Sequence, residues 1–99
     1  MRPVIHHPEV EAELMEAAQF YNRQRPGLGG EFAGAVDAAV AVMAERPGRF
    51  RVLEDGVRRC LLKRFPYSIL FREKGDAIQV LAFKHHARHP DYWKHRQTS

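Results

Sequence analysis

The sequence has one cysteine, one tryptophan and no apolar run of the roughly 20 residues that a membrane-spanning helix needs. A single cysteine, Cys60, excludes an internal disulfide and suits a reducing compartment. Since Cys60 lies in an apolar run, we expect a buried, inert thiol there. The first seven residues lack the apolar stretch of a signal peptide, so the sequence predicts a cytoplasmic protein.

Several kinds of site are also missing. The chain has no Gly-x-Gly-x-x-Gly motif and no phosphate-binding loop, and its carboxylates are too scattered for the acid pair of a glycosidase. We therefore expect no cofactor. A chain of 99 residues with 44% hydrophobic residues supports one core, which predicts a single domain over residues 1–99.

Charge is unevenly distributed along the chain. Residues 1–48 contain four Arg or Lys and seven Asp or Glu, net −3, whereas residues 49–99 contain twelve and five, net +7, for a total of +4. An anionic partner, either nucleic acid or an acidic protein segment, is therefore expected on the second half. A solvated basic surface is the simpler alternative.

The first half predicts a strand and two helices. Residues 2–7 form the strand, and a helix begins at Pro8, followed by apolar residues that recur every three or four positions. Residues 25–30, RPGLGG, predict a turn. A second periodic segment covers residues 32–43 and ends before Pro47. Two such helices joined by a short turn form an antiparallel hairpin.

The second half predicts a sheet. After an irregular stretch at 49–56, β-branched and aromatic residues at 57–64, 67–73 and 77–84 predict three strands with short connections. The fold class is therefore α+β, in which the N-terminal strand and the helical hairpin pack on a mainly antiparallel sheet.

Both faces of this sheet are predicted to need cover. Residues 60–62, 69–71 and 80–83 are apolar at consecutive positions, although a half-exposed strand would alternate. Two helices cover only one face. The C-terminal tail, another subunit or a partner segment must cover the other, and we hypothesise an obligate partner.

The segment HHARHPDYWKHR, residues 85–96, holds four of the six histidines and the only tryptophan. His85, His86 and His89 have a spacing that suits metal binding, but only Asp91 adds a nearby carboxylate, so we expect no metal site. Histidine also suits proton transfer in RNA cleavage, with arginines stabilising the phosphate. Cations and aromatic rings suit nucleic acid, whereas Tyr92 and Trp93 equally suit a clasp packed on the sheet.

Three stretches occur in an order that resembles a known superfamily. They are EAAQFYNRQRPGLGGEF (16–32), RRCLLKRFPYSILF (58–71) and VLAFKHHARHPDYW (80–93). With the predicted elements between them, the chain is similar over nearly its whole length to the RelE/ParE superfamily of type II toxin–antitoxin toxins.

The resemblance implies a growth-inhibiting toxin that is neutralised by a cognate antitoxin, without a membrane partner. Operator DNA would be reached only through the antitoxin. An acidic, amphipathic antitoxin segment would cover the second sheet face and offset the basic half. The residues expected to contact the antitoxin are Leu61, Leu70, Arg72, Leu81 and Phe83.

The superfamily has two branches with different activities. RelE-like proteins cut mRNA on the ribosome with basic residues and a C-terminal tyrosine, and ParE-like proteins inhibit DNA gyrase without being nucleases. The resemblance places Arg59, His86 and Tyr92 at positions of the nuclease set, but Leu61 and Ser68 stand where RelE-like proteins have basic residues. The two losses and the PGLG stretch favour the ParE-like branch.

The candidate site residues are therefore Arg59, His85, His86, Arg88 and Tyr92. They are contact residues if the protein inhibits gyrase, and catalytic residues if it is a metal-independent endoribonuclease. A degenerate toxin that only binds its antitoxin is a third possibility.

Overall fold

Five strands and two α-helices make up most of residues 2–98, the part of the chain that the computed structural model describes. In chain order they are β1 (Val4–His6), α1 (Val10–Gln24), α2 (Leu28–Glu45), β2 (Arg51–Glu54), β3 (Val57–Leu61), β4 (Tyr67–Lys74) and β5 (Ala77–His85), with 3-10 helices at Pro47–Arg49 and Lys94–Thr98. The sheet order is β1-β5-β4-β3-β2. Only β1 and β5 pair in parallel, which confirms the predicted α+β class.

The helical hairpin packs on one face of the sheet. Its core side chains include Phe32, Val36 and Met43 from α2, which meet Ile69 and Phe71 from β4. All five are at most 2% exposed. The predicted helix periodicity therefore identified the buried face of α2 correctly.

The C-terminal tail, residues 86–98, covers part of the opposite face. Trp93 is 2% exposed and belongs to a second apolar cluster with Val57, Leu70, Leu81 and Ala82. The tail is one of the three covers considered from the sequence. Consecutive apolar residues in β4 and β5 are thus explained within the chain, and this part of the face needs no partner.

The outermost strand, β2, lies in the stretch predicted to be irregular, and that prediction is wrong there. All four residues of β2 are exposed, and Arg51 pairs with Arg59 of β3. A solvated edge strand carries no apolar alternation, so periodicity gave no signal. The pairing also shifts register between Val52 and Glu54.

The turn between the helices is shorter than predicted. Gly27, at φ 88°, ends it, and Gly29 and Gly30 belong to the first turn of α2. A Cβ on Gly29 would overlap the carbonyl oxygen of Ala18 and lie 2.8 Å from Cγ of Asn22. The Asn22 side chain accepts a hydrogen bond from the Gly29 amide at 2.8 Å. Gly29 therefore sets how closely the two helices approach.

We expect Gly29→Ala to lower the free energy of unfolding by about 1–3 kcal/mol, because the added methyl group pushes α1 and α2 apart. Gly30→Ala is the matched control, since its Cβ would meet nothing within 4 Å. That control should be neutral or stabilising by up to about 1 kcal/mol. Urea unfolding measures both, and equal stabilities for the two variants would contradict the assigned role.

No helix within residues 2–98 is long and apolar enough to cross a membrane.

Candidate functional site

The tail begins with a turn that holds it against the sheet. The backbone amide of His86 donates to the carbonyl oxygen of Pro66 at 2.9 Å, and that of Arg88 donates to His85 at 2.9 Å. Farther along, Arg72 of β4 donates from Nη2 to the carbonyl oxygen of Gln97 at 2.7 Å. The tail is thus fixed at both of its ends as well as at Trp93.

Side chains form hydrogen bonds with the backbone at the unpaired edge of β5. Because β1 pairs only with Ile78–Val80, residues 81–83 of β5 have no neighbouring strand on that side. Arg96 Nη1 donates to the carbonyl oxygen of Leu81 at 3.0 Å, and the amide of Phe83 donates to Glu13 Oε1 at 3.3 Å. Unpaired backbone N–H and C=O groups on an open sheet edge can pair with strands of other molecules. The hydrogen bonds with Arg96 and Glu13 satisfy two of these groups within the chain.

Glu13, Tyr92 and Arg96 form one network, called here the tail latch. Arg96 Nη1 donates to Glu13 Oε1 at 2.8 Å, and the Tyr92 hydroxyl donates to Glu13 Oε2 at 2.6 Å. Arg96 Nε lies 2.7 Å from Glu9 Oε2, an ion pair without hydrogen-bond alignment. The guanidinium groups of Arg88 and Arg96 lie 4.1 Å and 5.0 Å from the centre of the Tyr92 ring.

The environment of Tyr92 keeps its phenol protonated. Burial raises the pKa of Tyr92 well above its usual value, and the hydrogen bond to the Glu13 carboxylate raises it further. Tyr92, one of the predicted site residues, thus contributes its hydroxyl group to the tail latch.

A basic trough lies on the tail side of the sheet, beside Trp93. Its basic residues are Arg59, Lys84 and His86, and its volume is about 500 Å³. Ser68 pairs directly with Lys84 across β4 and β5, so its side chain lies on the same face. The remaining lining residues are Leu53, Glu54, Leu61, Leu70, Pro90, Asp91 and Trp93. The two carboxylates that line the trough form ion pairs with Lys94, whose Nζ lies 2.8 Å from Glu54 Oε1 and 2.8 Å from Asp91 Oδ1.

A separate cleft of about 210 Å³ opens beside α1. It contains His85 and Arg88 together with the carboxylates of Glu13 and Glu16. The His85 ring packs edge-on against Tyr67 at 5.1 Å between centroids. Consecutive residues at the end of a strand point to opposite faces, so His85 and His86 open into different cavities.

The predicted site residues are therefore divided between two places. Arg59 and His86 line the trough, whereas His85 and Arg88 line the cleft. Lys84 was not among the candidate site residues, and Glu13 was missed as a tail contact. A glutamate in the first turn of a helix is equally explained by the helix dipole, so no local signal pointed to its role.

His85 at the end of β5 and His89 in the tail each already use one ring nitrogen. Nδ1 of His85 accepts from the Ala87 amide at 3.0 Å, and Nδ1 of His89 accepts from the Asp91 amide at 3.1 Å. In the neutral imidazole the proton therefore lies on Nε2. Within residues 2–98, no three His, Cys, Asp or Glu side chains are grouped as metal ligands.

The residues predicted to contact an antitoxin differ in their surroundings. Leu61 is 54% exposed, while Leu70, Leu81 and Phe83 are at most 2% exposed. Arg72 donates from Nε to Gln79 Oε1 at 2.8 Å and also holds the tail. In the isolated chain, Leu61 is the member of this set that offers an apolar surface.

This helical hairpin on a mixed five-stranded sheet, with basic residues beside its last strand, defines a toxin of the RelE/ParE superfamily. The model of a family described as "ParE toxin of type II toxin-antitoxin system, parDE" matches residues 4–90, so the chain belongs to the ParE toxin family. The match ends before Tyr92, Trp93 and Arg96.

Similar proteins agree with this assignment. Toxin ParE2 is 29% identical over 86 residues, which cover 86% of this chain and 82% of that protein, in two Mycobacterium tuberculosis strains, CDC 1551 / Oshkosh and H37Rv. A solved structure titled "Chromosomal ParDE TA system from P. aeruginosa" superposes with a TM-score of 0.77 at 25% identity. That match covers 86% of this chain and 96% of the other.

Proposed function

We propose that this toxin is held inactive by a cognate antitoxin in the cytoplasm and that, when released, it inhibits DNA gyrase by binding. Operator DNA is contacted only through the antitoxin. Membership of the ParE family supports the antitoxin partner, as does the similarity to a chain from a ParDE system. The choice of gyrase follows from the resemblance to the ParE-like branch.

One observation carries the choice of binding over catalysis: the five candidate RNA-cleaving residues are not gathered in one site. Arg59 and His86 line the trough, and His85 and Arg88 line the cleft on the other side. The Tyr92 hydroxyl donates to Glu13 at 2.6 Å. Acid–base cleavage needs the acid, the base and the phosphate ligands within hydrogen-bond reach of one phosphodiester. These residues instead suit contacts with a macromolecular surface.

A second candidate function is ribosome-dependent RNA cleavage, which one feature of the trough favours. Arg59, Lys84 and His86 are three basic residues around a shared cavity, next to Ser68. Such a group suits a phosphate. In this case His86 would transfer the proton and Arg59 would stabilise the charge on the phosphate.

The deciding experiment measures gyrase supercoiling with the purified toxin and maps RNA 5′ ends on translating ribosomes. We expect inhibition of supercoiling without codon-specific cleavage. Arg59→Ala and His86→Ala should each weaken inhibition about tenfold, the loss of one hydrogen-bonded contact. Arg46→Ala, an exposed arginine outside the trough, is the control.

Two other outcomes would replace this proposal. Cleavage at codons that disappears in His86→Ala would establish the endoribonuclease. Normal growth on expression without the antitoxin, combined with intact antitoxin binding, would establish a degenerate toxin.

A further inference from the structure

Two arginines stand directly opposite each other on the tail side of the sheet. Arg51 of β2 pairs with Arg59 of β3 in the antiparallel register, so the two side chains lie on the same face. Arg59 also lines the trough, which identifies this face as the tail side. Like charges at directly opposite positions destabilise a sheet. An anion bound beside the two guanidinium groups would offset their repulsion.

The positive charge continues across the sheet. Leu61, Ser68 and Lys84 stand side by side on β3, β4 and β5, because Ser68 pairs with both neighbours. We call Arg51, Arg59 and Lys84 the basic stripe. From β2 to β5 it crosses three strand spacings, roughly 14 Å at about 4.8 Å each. One strand of B-DNA rises about 3.4 Å per nucleotide, so the stripe matches the backbone of roughly four nucleotides.

The basic stripe is not neutralised by the part of the chain that the structure describes. The carboxylates of Glu54 and Asp91, which line the trough, are both ion-paired with Lys94 at 2.8 Å. Within residues 2–98, no side chain of the stripe forms an ion pair. Together, the stripe and the Lys94 group have four cations and two carboxylates, a net charge of +2. This surplus is available to an anionic ligand.

The side chains around the stripe suit a nucleic-acid backbone. Proteins contact phosphate and sugar mainly through arginine, lysine and hydroxyl side chains. The trough supplies all three types in Arg59, Lys84 and Ser68. Leu61, which is 54% exposed and lines the same cavity, offers an apolar contact to the C–H groups of a sugar ring.

We propose that the basic stripe binds the phosphodiester backbone of the DNA that gyrase holds, so that the toxin contacts this DNA as well as the enzyme. This inference rests on the proposed function, in which the released toxin inhibits gyrase. A phosphate contact carries no sequence information, so recognition of operator DNA stays with the antitoxin. RNA has the same phosphodiester chemistry, and it is therefore included in the test.

The first measurement is the binding of the full-length toxin to labelled DNA duplexes of two unrelated sequences, by fluorescence anisotropy at several salt concentrations. Three phosphate contacts predict a slope of about −2.7 for the logarithm of the binding constant against that of the salt concentration. Arg51→Ala and Lys84→Ala should each reduce the slope by about 0.9 and weaken both duplexes alike. Arg46→Ala, an exposed arginine outside the stripe, is the matched control. Circular dichroism melting curves verify that all variants are folded.

The second measurement is the affinity of the toxin for gyrase with and without a bound duplex. We expect the duplex to increase this affinity about tenfold, since it adds salt-dependent phosphate contacts. The ratio of the two affinities should fall to near one in Arg51→Ala and in Lys84→Ala. In Arg46→Ala it should stay at the wild-type value.

Each part of the proposal can fail separately. Salt slopes that neither Arg51→Ala nor Lys84→Ala changes would overturn it. An affinity for gyrase that DNA leaves unchanged but both variants weaken would assign the stripe to an acidic segment of gyrase instead. Tighter binding of a single-stranded RNA than of either duplex would assign it to RNA. A wild-type toxin that neither binds nor inhibits gyrase would overturn the proposed function, whereas the duplex measurement would still decide whether the stripe binds phosphates.

Discussion

Trp93→Ala is expected to lower the free energy of unfolding by about 3–5 kcal/mol, the usual cost of deleting a buried large aromatic side chain. Trp93 is 2% exposed and contacts the cluster of Val57, Leu70 and Leu81. Its removal leaves a cavity on the sheet and releases the tail from that face. Since the free energy of unfolding of a domain of this kind is about 5–15 kcal/mol, the variant loses a large part of its stability.

Guanidinium chloride unfolding measures this loss, and Trp93→Phe is the comparison. Phenylalanine keeps most of the apolar contact, so we expect it to recover more than half of the lost stability. If Trp93→Ala unfolded at the wild-type midpoint, the Trp93 side chain would contribute nothing to the stability of the fold. Hydrogen exchange at the amides of β4 and β5 would then also be unchanged.

The second large effect is expected at the tail latch. Glu13→Ala should destabilise the protein by about 3 kcal/mol, because it leaves the buried guanidinium group of Arg96 without its main carboxylate. The side chain of Arg96 is 6% exposed and that of Glu13 is 14% exposed, so solvent screens this pair weakly. Glu9, which is half exposed, stays near Arg96. The lost free energy of unfolding is therefore expected at the lower end of the range for breaking a buried ion pair.

A double-mutant cycle isolates the interaction between the two residues. Glu13→Leu combined with Arg96→Met replaces the ion pair with apolar side chains, and we expect this double variant to be more stable than Glu13→Leu alone. The measurement is thermal unfolding of all four proteins. Additive effects of the single substitutions would show that Glu13 and Arg96 do not stabilise each other.

Periodicity predicted the elements whose side chains are buried on a regular pattern. The two helices and the strands β3, β4 and β5 were found because apolar residues recur at the helical spacing or fill continuous runs. It failed at β2, where Arg51–Glu54 are all exposed and pair only through the backbone. It failed again at Gly29, because a glycine needed for close helix packing has the same local signature as a turn glycine.

The candidate site was less predictable because its geometry depends on distant residues. The sequence identified Arg59 and His86, but their shared cavity follows from strand pairing that no local pattern specifies. Tyr92 and Arg96 were identified as ring and cation, while their carboxylate partner, Glu13, lies 79 and 83 residues away. The adjacent histidines His85 and His86 open into different cavities, and only the geometry of the strand shows this.

The bond between Glu13 and Arg96 also determines when the toxin finishes folding during its synthesis. The two residues are 83 positions apart. At about 5–20 residues per second, a ribosome takes roughly 4–17 s to pass from one to the other. Until Arg96 leaves the ribosome, residues 81–83 of β5 keep an unpaired edge and one sheet face lacks Trp93. The nascent toxin is therefore open to misassembly at this edge until Arg96 has been synthesised and released.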